Sequence, residues 1–457
     1  MKLESNIFKA YDIRAIYPEQ IDTEIIYAMG RAYATWLKQQ DPEAIKVAVG
    51  RDMRLSSPEL QESLIKALTD SGLNVDNFGL VSTPTFYFGV ASGGYHGGLQ
   101  VSASHNPKQY NGVKIVRAGG VPVGGDTGLY TMRDIILQEK FMPLSGTPGT
   151  VTNKSDITDQ AIKDYLFHAD VSAVKPLNVV IDAANAMGAL DAESMFKNLP
   201  CRVTRMNFEL DGTFPAHEAD PLKEENKVEL KKVVIAEKAD LGIALDGDGD
   251  RIFFVDEKGE SVEPAILRGL LAQIELISNP GATICYDIRP GRITKDMIES
   301  AGGKAEVTPV GHSLIKAHML EVGALFGGES SGHFFYKFPY GTFEASMLVA
   351  LKLLVHISQQ NKPFSEILAP FRGKYVQTGE INIHMSSRDE ILKKIAIIKE
   401  AFKDGTLNEV DGVYIEYADA WFIVRASNTE ALMRIIVESP TAETLERYKE
   451  KILSLVS

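Results

Sequence analysis

The chain has 457 residues, of which 44% are hydrophobic and 24% charged, and its formal net charge is −13 at pH 7. This length suggests roughly three to four domains, and the composition is that of a globular protein with an ample core. The negative charge argues against nucleic-acid or anionic-membrane partners, and an anionic small ligand would need a local cluster of cationic side chains and backbone N–H groups.

The amino terminus and the cysteine content favour a cytoplasmic protein. Residues 1–20 contain no apolar segment followed by a cleavage site, and no apolar run approaches the roughly 20 residues of a membrane helix. Cys201 and Cys285 are far apart and in no metal-ligand spacing. A disulfide framework or a zinc site is therefore not expected.

Most of the sequence alternates strand-like and helix-like segments. IKVAVG is followed by a helix pattern with Ser57 as its cap, Pro58 in the first position and Gly72 at its end. After about residue 150 the alternation recurs in NVVIDAAN, LKEENKVELKKVVIAEKA and LGIALDGDGDRIFFV, and again from TICYDI onward. Such alternation predicts α/β units with mixed or parallel sheets.

The last part of the sequence has a different pattern. GVYIEYADAWFIVRASNTEALMRIIVES predicts closely spaced strands. A final helix pattern has apolar residues at Leu445, Tyr448, Ile452 and Leu453. We therefore predict three α/β domains followed by a smaller C-terminal α+β domain.

The stretch VSASHNPKQYNGVKI places Ser104 next to His105. Asn106 and Pro107 form a turn dipeptide, and Ser, His and Asn all tolerate irregular backbone. A base must meet its nucleophile in space, and adjacent side chains often diverge. These residues alone favour a turn over an activated nucleophile.

The stretch LDGDGDR follows an apolar, strand-like run and carries Asp246, Asp248 and Asp250 at alternate positions. Three carboxylates in this spacing can converge on one divalent cation through oxygen ligands. A calcium-binding EF-hand would use Glu257 as the twelfth residue, but Arg251 occupies the sixth position, where glycine is needed. The pattern instead predicts a metal site at the end of a strand in an α/β fold.

The stretch FGGESSGHFFY contains a G-x-S-x-G pattern centred on Ser330. A hydrolase nucleophile elbow requires a helix immediately after that serine, and here strand-like residues broken by Pro339 follow. A polar loop that presents Glu329, Ser331 and His333 suits recognition of hydroxyl groups. An ordinary Gly/Ser loop fits the segment equally well.

The stretch VRASNTEALMR joins two arginines, Arg425 and Arg434, to the polar residues Ser427, Asn428 and Thr429. Guanidinium groups with hydroxyls and exposed backbone N–H groups suit a phosphate dianion. A capped turn that carries surface arginines is the equally compatible structural alternative.

Taken together, these loops resemble the α-D-phosphohexomutase family, and most of all its phosphomannomutase/phosphoglucomutase members. FKAYDIRA is similar to that family's FRxYDIRG pattern, VSASHNPKQYNG to its phosphoserine loop, DGDGDR to its metal loop, GESSGH to its sugar loop and RASNTE to its phosphate loop. DGTFPAHEADPLKEEN and VGHSLIK also match, and the motifs occur in family order over nearly the whole chain. The resemblance implies three similar α/β domains with mixed sheets and a smaller C-terminal domain around a central cleft.

The resemblance also implies what each domain does. It implies a phosphoserine domain over 1–150, a metal-binding domain over 151–253, a sugar-binding domain over 254–371 and a phosphate-binding domain over 372–457.

The implied activity is reversible phosphoryl transfer between the 1- and 6-positions of mannose and/or glucose phosphate. It proceeds through a phosphoserine and a 1,6-bisphosphate, with glucose 1,6-bisphosphate or mannose 1,6-bisphosphate as activator. The implied catalytic residues are Ser104, His105, Lys114, Arg14, Arg251 and His333. The implied ligands of one Mg²⁺ are Ser104, Asp246, Asp248 and Asp250. The implied substrate-binding residues are Tyr11, Arg289, His312, Glu329, Ser331, Arg425, Ser427, Asn428, Thr429 and Arg434.

Some positions depart from the family pattern. Ser102 replaces the usual threonine and Ala15 the usual glycine, and both changes are mild. The segment DIRPGR places Arg289, with Arg292 close by, where a lysine is common. Arginine keeps the charge but forks its donors, which bears on specificity.

Several alternatives stay open at this point. Within the family they are a phosphoglucosamine mutase or a dedicated phosphoglucomutase, and the chain is expected to be a monomer or a homodimer. Outside the family they are a serine hydrolase at Ser330, a calcium-binding protein at Asp246 and a catalytically inactive sugar-phosphate binder.

Overall fold

The computed structural model describes residues 3–289, 291–426 and 432–456. The chain divides into two compact units, the first formed by Met1–Val262 and Ser331–Ser365 and the second by Glu263–Ser330 and Glu366–Ser457. Within the described residues, no helix has both the length and the apolar character needed to cross a membrane.

The first unit begins with a seven-stranded mixed sheet. Its strands are β1 (Ile13–Ile16), β2 (Lys46–Arg51), β3 (Asn74–Leu80), β4 (Gly97–Val101), β5 (Tyr110–Arg117), β6 (Val121–Pro122) and β7 (Val151–Asn153). Their order is β1-β5-β4-β2-β3-β7, with β6 paired to β5. β2 is parallel to β3 and β4, whereas β5 is antiparallel to β4 and β1. The carboxyl ends of β2 and β4 therefore meet at one edge, where the loops after both strands begin.

Four helices belong to this sheet: α1 (Thr23–Gln40), α2 (Ser57–Asp70), α3 (Thr83–Ser92) and α4 (Tyr130–Leu137). The side chain of Ser82 caps α3 by accepting a hydrogen bond from the Thr85 N–H. The predicted cap of α2 at Ser57 is wrong by one position. Ser56 is the N-cap, without a side-chain capping hydrogen bond, and Ser57 is the first helical residue, with its hydroxyl donating to Asp52 Oδ1 at 2.6 Å.

The second sheet of the first unit has four strands. They are β8 (Asn178–Asp182), β9 (Arg202–Met206), β10 (Leu241–Leu245) and β11 (Ile252–Asp256), in the order β11-β10-β8-β9. All neighbours are parallel except β10 and β11. The accompanying helices are α5 (Ile157–Phe167), α6 (Gly188–Phe196) and α7 (Val228–Ala236). The tight connection from β10 to β11 is the aspartate-rich loop.

The chain then enters the second unit for one α/β segment. Its helices are α8 (Pro264–Ser278), α9 (Arg292–Ser300) and α10 (His312–Val322), and its strands are β12 (Thr283–Asp287), β13 (Lys304–Thr308) and β14 (Phe326–Gly328). β12 pairs in parallel with both β13 and β14. The chain returns to the first unit as the antiparallel hairpin β15 (Phe334–Phe338) and β16 (Gly341–Glu344), followed by α11 (Ser346–Gln360).

The remaining residues form a smaller α+β arrangement. After the short helix α12 (Phe364–Leu368), its helices are α13 (Arg388–Ala401) and α14 (Ala442–Val456). Its strands are β17 (Val376–Gln377), β18 (Ile381–His384), β19 (Thr406–Asn408), β20 (Val413–Glu416), β21 (Trp421–Ala426) and β22 (Leu432–Ser439). They run in the order β17-β22-β21-β20-β19, with β18 paired to β22, and their pairings are antiparallel. The predicted fold class, α/β units with mixed sheets and a smaller C-terminal α+β part, is confirmed.

Candidate active site

Three buried carboxylates meet in the loop between β10 and β11. Asp246, Asp248 and Asp250 each offer one oxygen, and these oxygens lie within 4.8 Å of one another. A Cβ at Gly247 would lie 2.3 Å from the Ser104 carbonyl oxygen. Glycine at that position therefore lets the aspartate loop touch the loop of Ser104.

Ser104 lies in the loop after β4, and its side chain faces the aspartates. Its hydroxyl donates to Asp246 Oδ2 at 3.2 Å. The backbone of Ser104 has φ of +48°, in the left-handed region that residues other than glycine seldom occupy. Its N–H donates to the Ser102 hydroxyl at 3.1 Å. Serine at position 102 thus supplies the same hydroxyl that threonine would.

His105 meets Ser104 in space, although adjacent side chains often diverge. Its Nδ1 lies 3.2 Å from Ser104 Oγ. Burial, together with the nearby Arg251 and Arg14 guanidinium groups, lowers the pKa of His105 to about 2. The imidazole is therefore neutral near pH 7 and bonds to Ser104 without adding charge.

Lys114, on β5, is the cation of the aspartate loop. Its Nζ donates to Asp250 Oδ2 at 2.7 Å and also to Asp248 Oδ2. Burial alone would lower the pKa of Lys114, but the two carboxylates raise it well above its usual range. Burial and the neighbouring Asp250 and Asp248 carboxylates raise the pKa of Asp246. Lys114 therefore stays protonated, and its single positive charge balances only part of the negative charge of the aspartate loop.

The donor set of this loop fits a divalent cation. Asp248 Oδ1 is buried and has no hydrogen-bond partner among the described residues. The three carboxylates and the Ser104 hydroxyl are hard oxygen donors, the type preferred by Mg²⁺. The EF-hand alternative fails, because strands flank the loop and the Glu257 carboxylate instead accepts the Ser365 N–H at 3.0 Å.

Three further predicted residues surround this centre within the first unit. Arg14 Nη1 donates to Asn106 Oδ1 in the Ser104 loop at 3.2 Å, and its Nε donates to Asp12 at 2.8 Å. Arg251 Nε lies 3.4 Å from His333 Nε2. The backbone N–H of Arg251 donates to Asp246 Oδ1 at 3.1 Å.

His333 connects the polar loop before β15 to the aspartates. Its Nε2 lies 3.2 Å from Asp250 Oδ1, and its Nδ1 lies 2.9 Å from Ser331 Oγ. Tyr11 is half-buried in the bend that precedes β1. The structure thus brings Ser104, His105, Lys114, Arg14, Arg251 and His333 together around the three aspartates.

In the second unit, polar side chains gather at the end of β12. Arg289 Nε donates to Asp287 Oδ2 at 2.6 Å, and its Nη2 donates to Glu329 Oε1 at 2.9 Å. Burial alone would lower the pKa of Arg289, but Asp287 and Glu329 raise it. Arg292 instead donates to the Tyr417 carbonyl at 3.1 Å. Among the described residues, Arg289 therefore contacts the predicted sugar-reading residue Glu329, and Arg292 contacts the Tyr417 backbone.

Ser330 lacks the surroundings of a hydrolase nucleophile. Its hydroxyl donates to Asp287 Oδ1 at 2.9 Å and accepts a hydrogen bond from the buried Arg268 at 2.9 Å. The regular element that follows is the strand β15, whereas a nucleophile elbow needs a helix there.

Two predicted phosphate-binding arginines face each other across β21 and β22. Arg425 and Arg434 are register partners, and the Glu380 carboxylate lies 3.4 Å from both guanidinium groups. His312 is half-buried in the first turn of α10. The predicted residues Ser427, Asn428 and Thr429 lie outside the described residues.

Several residues that the sequence motifs do not predict hold these side chains in place. Thr83 donates its N–H to the Asp248 carbonyl at 2.9 Å and its hydroxyl to the Asp248 carboxylate. Asp52 and Arg54 hold the Ser104 loop. Both follow the carboxyl end of β2, a position where α/β sheets often place site residues, and that signal could have found them.

A serine hydroxyl, carboxylates that can bind a divalent cation and fixed cations around them are the parts that phosphoryl transfer needs, because this chemistry depends mainly on positioning and charge neutralisation. The centre in the first unit is therefore typical of a phosphoryl-transfer enzyme.

Four phosphoglucomutase/phosphomannomutase family models match the chain in succession. They are alpha/beta/alpha domain I over residues 5–141, domain II over 159–259, domain III over 265–375 and the C-terminal domain over 380–455. The chain belongs to the phosphoglucomutase/phosphomannomutase family.

Individual relatives agree over almost the full length. The phosphomannomutase/phosphoglucomutase of Pseudomonas putida is 37% identical over 450 residues, which is 98% of this chain and 95% of the relative. The phosphoglucomutase of Neisseria gonorrhoeae is 34% identical over 99% of this chain and 96% of its own. A crystal structure of a family protein from Burkholderia thailandensis superposes with a TM-score of 0.88 at 31% identity, covering 100% of this chain and 98% of that one. The family and the isomerase class predicted from the sequence are confirmed.

Proposed function

We propose that this chain is a phosphomannomutase/phosphoglucomutase, which moves a phosphoryl group between the 1- and 6-positions of mannose and glucose phosphates. The observation that carries the proposal is the contact of the Ser104 hydroxyl with Asp246 in a loop of three buried carboxylates. Its relatives bear the names phosphomannomutase, phosphoglucomutase and both together, which favours dual specificity. Mannose and glucose differ only at C2, and no motif residue is assigned to that carbon.

In the proposed reaction, Ser104 is the phosphoryl carrier. A hydroxyl of the bound sugar phosphate attacks the phosphorus, the bond from phosphorus to Ser104 Oγ breaks, and a 1,6-bisphosphate forms. The bisphosphate turns over and its other phosphoryl group returns to Ser104. His333 and Arg14 are our candidates for moving or polarising the hydroxyl proton, since both lie beside the aspartate loop.

Asp246, Asp248 and Asp250 would hold one Mg²⁺ together with an oxygen of phosphorylated Ser104. The ion would neutralise the negative charge that builds on the transferring group. Lys114 and Arg251 would add positive charge at the same place, and neutral His105 would orient the Ser104 oxygen. Glucose 1,6-bisphosphate or mannose 1,6-bisphosphate would serve as activator by loading Ser104.

Binding of the sugar would fall to residues of the polar loops. Glu329 and Ser331 would bind the 3- and 4-hydroxyls, which occupy equivalent places in either orientation of the substrate. Arg289 supports this role by its bond to Glu329. The phosphate not being transferred would be held by Arg425, Arg434, Tyr11, His312, Ser427, Asn428 and Thr429.

We also propose a cytoplasmic monomer or homodimer that works without nucleic acid or membrane. The alternative function is a phosphoglucosamine mutase or a dedicated phosphoglucomutase. The loop GESSGH favours the mannose/glucose activity, since phosphoglucosamine mutases usually carry glutamine in that loop.

The deciding experiment is Mg²⁺-dependent turnover of mannose 1-phosphate, glucose 1-phosphate and glucosamine 1-phosphate side by side, with a trace of glucose 1,6-bisphosphate. Comparable rates on the first two support the proposal. A strong preference for glucosamine 1-phosphate would replace the substrate while keeping the chemistry. Absence of turnover on all three would favour a sugar-phosphate binding protein.

A further inference from the structure

Arg54 is a buried arginine whose guanidinium bonds to the backbone of the Ser104 loop. Only 1% of the residue is exposed. Its acceptors are Asp52 Oδ2 (3.2 Å), the carbonyls of Pro107 (2.9 Å) and Tyr110 (3.0 Å), and those of Ser104 (2.8 Å) and Asn106 (2.6 Å). A guanidinium has five N–H donors, and here each one has an acceptor. No donor is left for a substrate phosphate.

Four of these acceptors belong to one segment, residues 104–110, which comprises the irregular loop after β4 and the first residue of β5. The contact with the Ser104 carbonyl is buried, and a buried carbonyl without a partner is costly. The loop also holds Ser104 at φ +48°, a conformation that surrounding contacts must enforce in a residue with a side chain. The planar fork of Arg54 meets both requirements, because it fixes four carbonyls in one rigid arrangement.

Asp52 completes the arrangement on the other side of the guanidinium. Its Oδ1 accepts the Arg54 N–H at 3.0 Å, and its Oδ2 accepts the Ala103 N–H at 3.3 Å. The carboxylate thus balances the buried charge and bonds to the residue before Ser104. The Phe214 ring lies over the guanidinium, with its centroid 5.1 Å from Arg54 Cζ.

We propose that Arg54 is the positioning residue of the phosphoryl carrier: it holds the 104–110 backbone so that the Ser104 hydroxyl faces Asp246, without touching the transferred group. This inference rests on the proposed function of Ser104. Because the guanidinium is neutralised by Asp52 and fully bonded, its role is to fix geometry rather than to bind phosphate.

The test compares Arg54→Lys with Arg31→Lys in the full-length protein. Arg31 is the matched control, because it is also an arginine that bonds to the backbone in the first unit, away from Ser104. Its guanidinium donates to the Met142 carbonyl and lies 5.5 Å from the Phe141 ring centroid. The measurements are kcat and KM for glucose 1-phosphate, and amide hydrogen exchange of residues 103–111.

For Arg54→Lys we expect kcat to fall roughly 100-fold, the effect of an ångström-scale misplacement of a reacting group. KM should stay near the wild-type value, and exchange across 103–111 should become faster. Arg31→Lys should change none of the three. Wild-type kcat and exchange in folded Arg54→Lys, or equal losses in both variants, would overturn the inference.

If Arg54→Lys does not fold, Asp52→Asn decides, because it removes the charge that balances the guanidinium and one of the two oxygens that hold Arg54 and the Ala103 N–H. We expect a several-fold lower kcat and faster exchange in 103–111, and wild-type values of both would overturn the inference. Failure of the proposed function looks different. In that case the wild-type protein itself takes no phosphoryl group from glucose 1,6-bisphosphate, while faster exchange in the Arg54 variant still shows that Arg54 orders the loop.

Discussion

The charged groups around Ser104 and those around Arg425 are built in opposite ways. Lys114 and Asp250 are 2.7 Å apart, and their side chains are 5% and 2% exposed. Arg434 and Glu380 are 3.4 Å apart, and their side chains are 27% and 31% exposed. Close buried pairs are costly to break, whereas long and partly exposed pairs contribute little. The first arrangement suits fixed chemistry, and under the proposed function the second would let the arginines exchange a carboxylate for an incoming phosphate.

The largest effect is expected where the proposed carrier is removed. Ser104→Ala should lose nearly all turnover, because no oxygen remains to take the phosphoryl group. Calorimetric binding of glucose 1-phosphate should stay close to the wild-type affinity. Normal turnover in this variant would contradict the phosphoserine mechanism.

Removing the buried cation Lys114 tests the claim that the close buried ion pairs are costly to break. Lys114→Met should lower the free energy of unfolding by about 3–5 kcal/mol, the usual cost of leaving a buried charge unpaired. Urea denaturation in EDTA measures this loss, and Mg²⁺ should restore more stability to the variant than to the wild type. Lys197→Met, which removes an exposed partner of Asp159, is the control and should cost at most about 1 kcal/mol. Equal losses in the two variants would contradict the account.

Asp191 shows what burial does to a carboxylate that has no cationic partner among the described residues. Burial raises the pKa of Asp191 to about 6, although the Ser82 and Thr85 hydroxyls donate to it and oppose the shift. A raised pKa means that the folded protein binds more protons than the unfolded chain between pH 4 and 6. Stability should therefore fall by about 3 kcal/mol as the pH rises through that window. Asp191→Asn should remove this part of the pH dependence in urea denaturation, and an unchanged profile would contradict the assignment.

The longer, partly exposed ion pairs around Arg425 predict an effect on substrate binding. Arg425→Ala should raise KM for glucose 1-phosphate about tenfold, because it removes a charge-assisted hydrogen bond to the phosphate. Steady-state kinetics should show a smaller change in kcat. A fall in kcat at constant KM would place Arg425 in the chemistry instead.

The smallest effect is expected for Glu380→Gln. This change removes the carboxylate that lies near both Arg425 and Arg434, and that would compete with phosphate for them under the proposed function. KM should fall a few-fold, while kcat stays the same. A higher KM would mean that Glu380 positions the arginines rather than competing for them.

Much of the fold and of the site could be predicted because the relevant signals are local. Asp246, Asp248 and Asp250 follow a strand and are separated by glycines, which is visible in six residues. The alternation of strands and helices likewise indicates α/β units without any long-range information.

The missed features depend on contacts between distant parts of the chain. Arg54 bonds mainly to backbone carbonyls about fifty residues later in the chain. Every residue has a backbone carbonyl, so the pattern of side chains does not indicate which ones Arg54 contacts. The sequence pattern predicts Ser57 as a helix cap, but its hydroxyl donates to Asp52. The left-handed φ of Ser104 is set by its surroundings, since serine has no preference for it.

The central claim is that Ser104 carries the phosphoryl group, and direct mapping of the modification tests it. The wild-type protein and Ser104→Ala are incubated with glucose 1,6-bisphosphate and Mg²⁺, and the modified residue is located by peptide mass spectrometry. The account predicts phosphate on Ser104 of the wild type, its loss when excess glucose 1-phosphate or glucose 6-phosphate is added, and none in the variant. Phosphate on another residue, or equal labelling of both proteins, would contradict it.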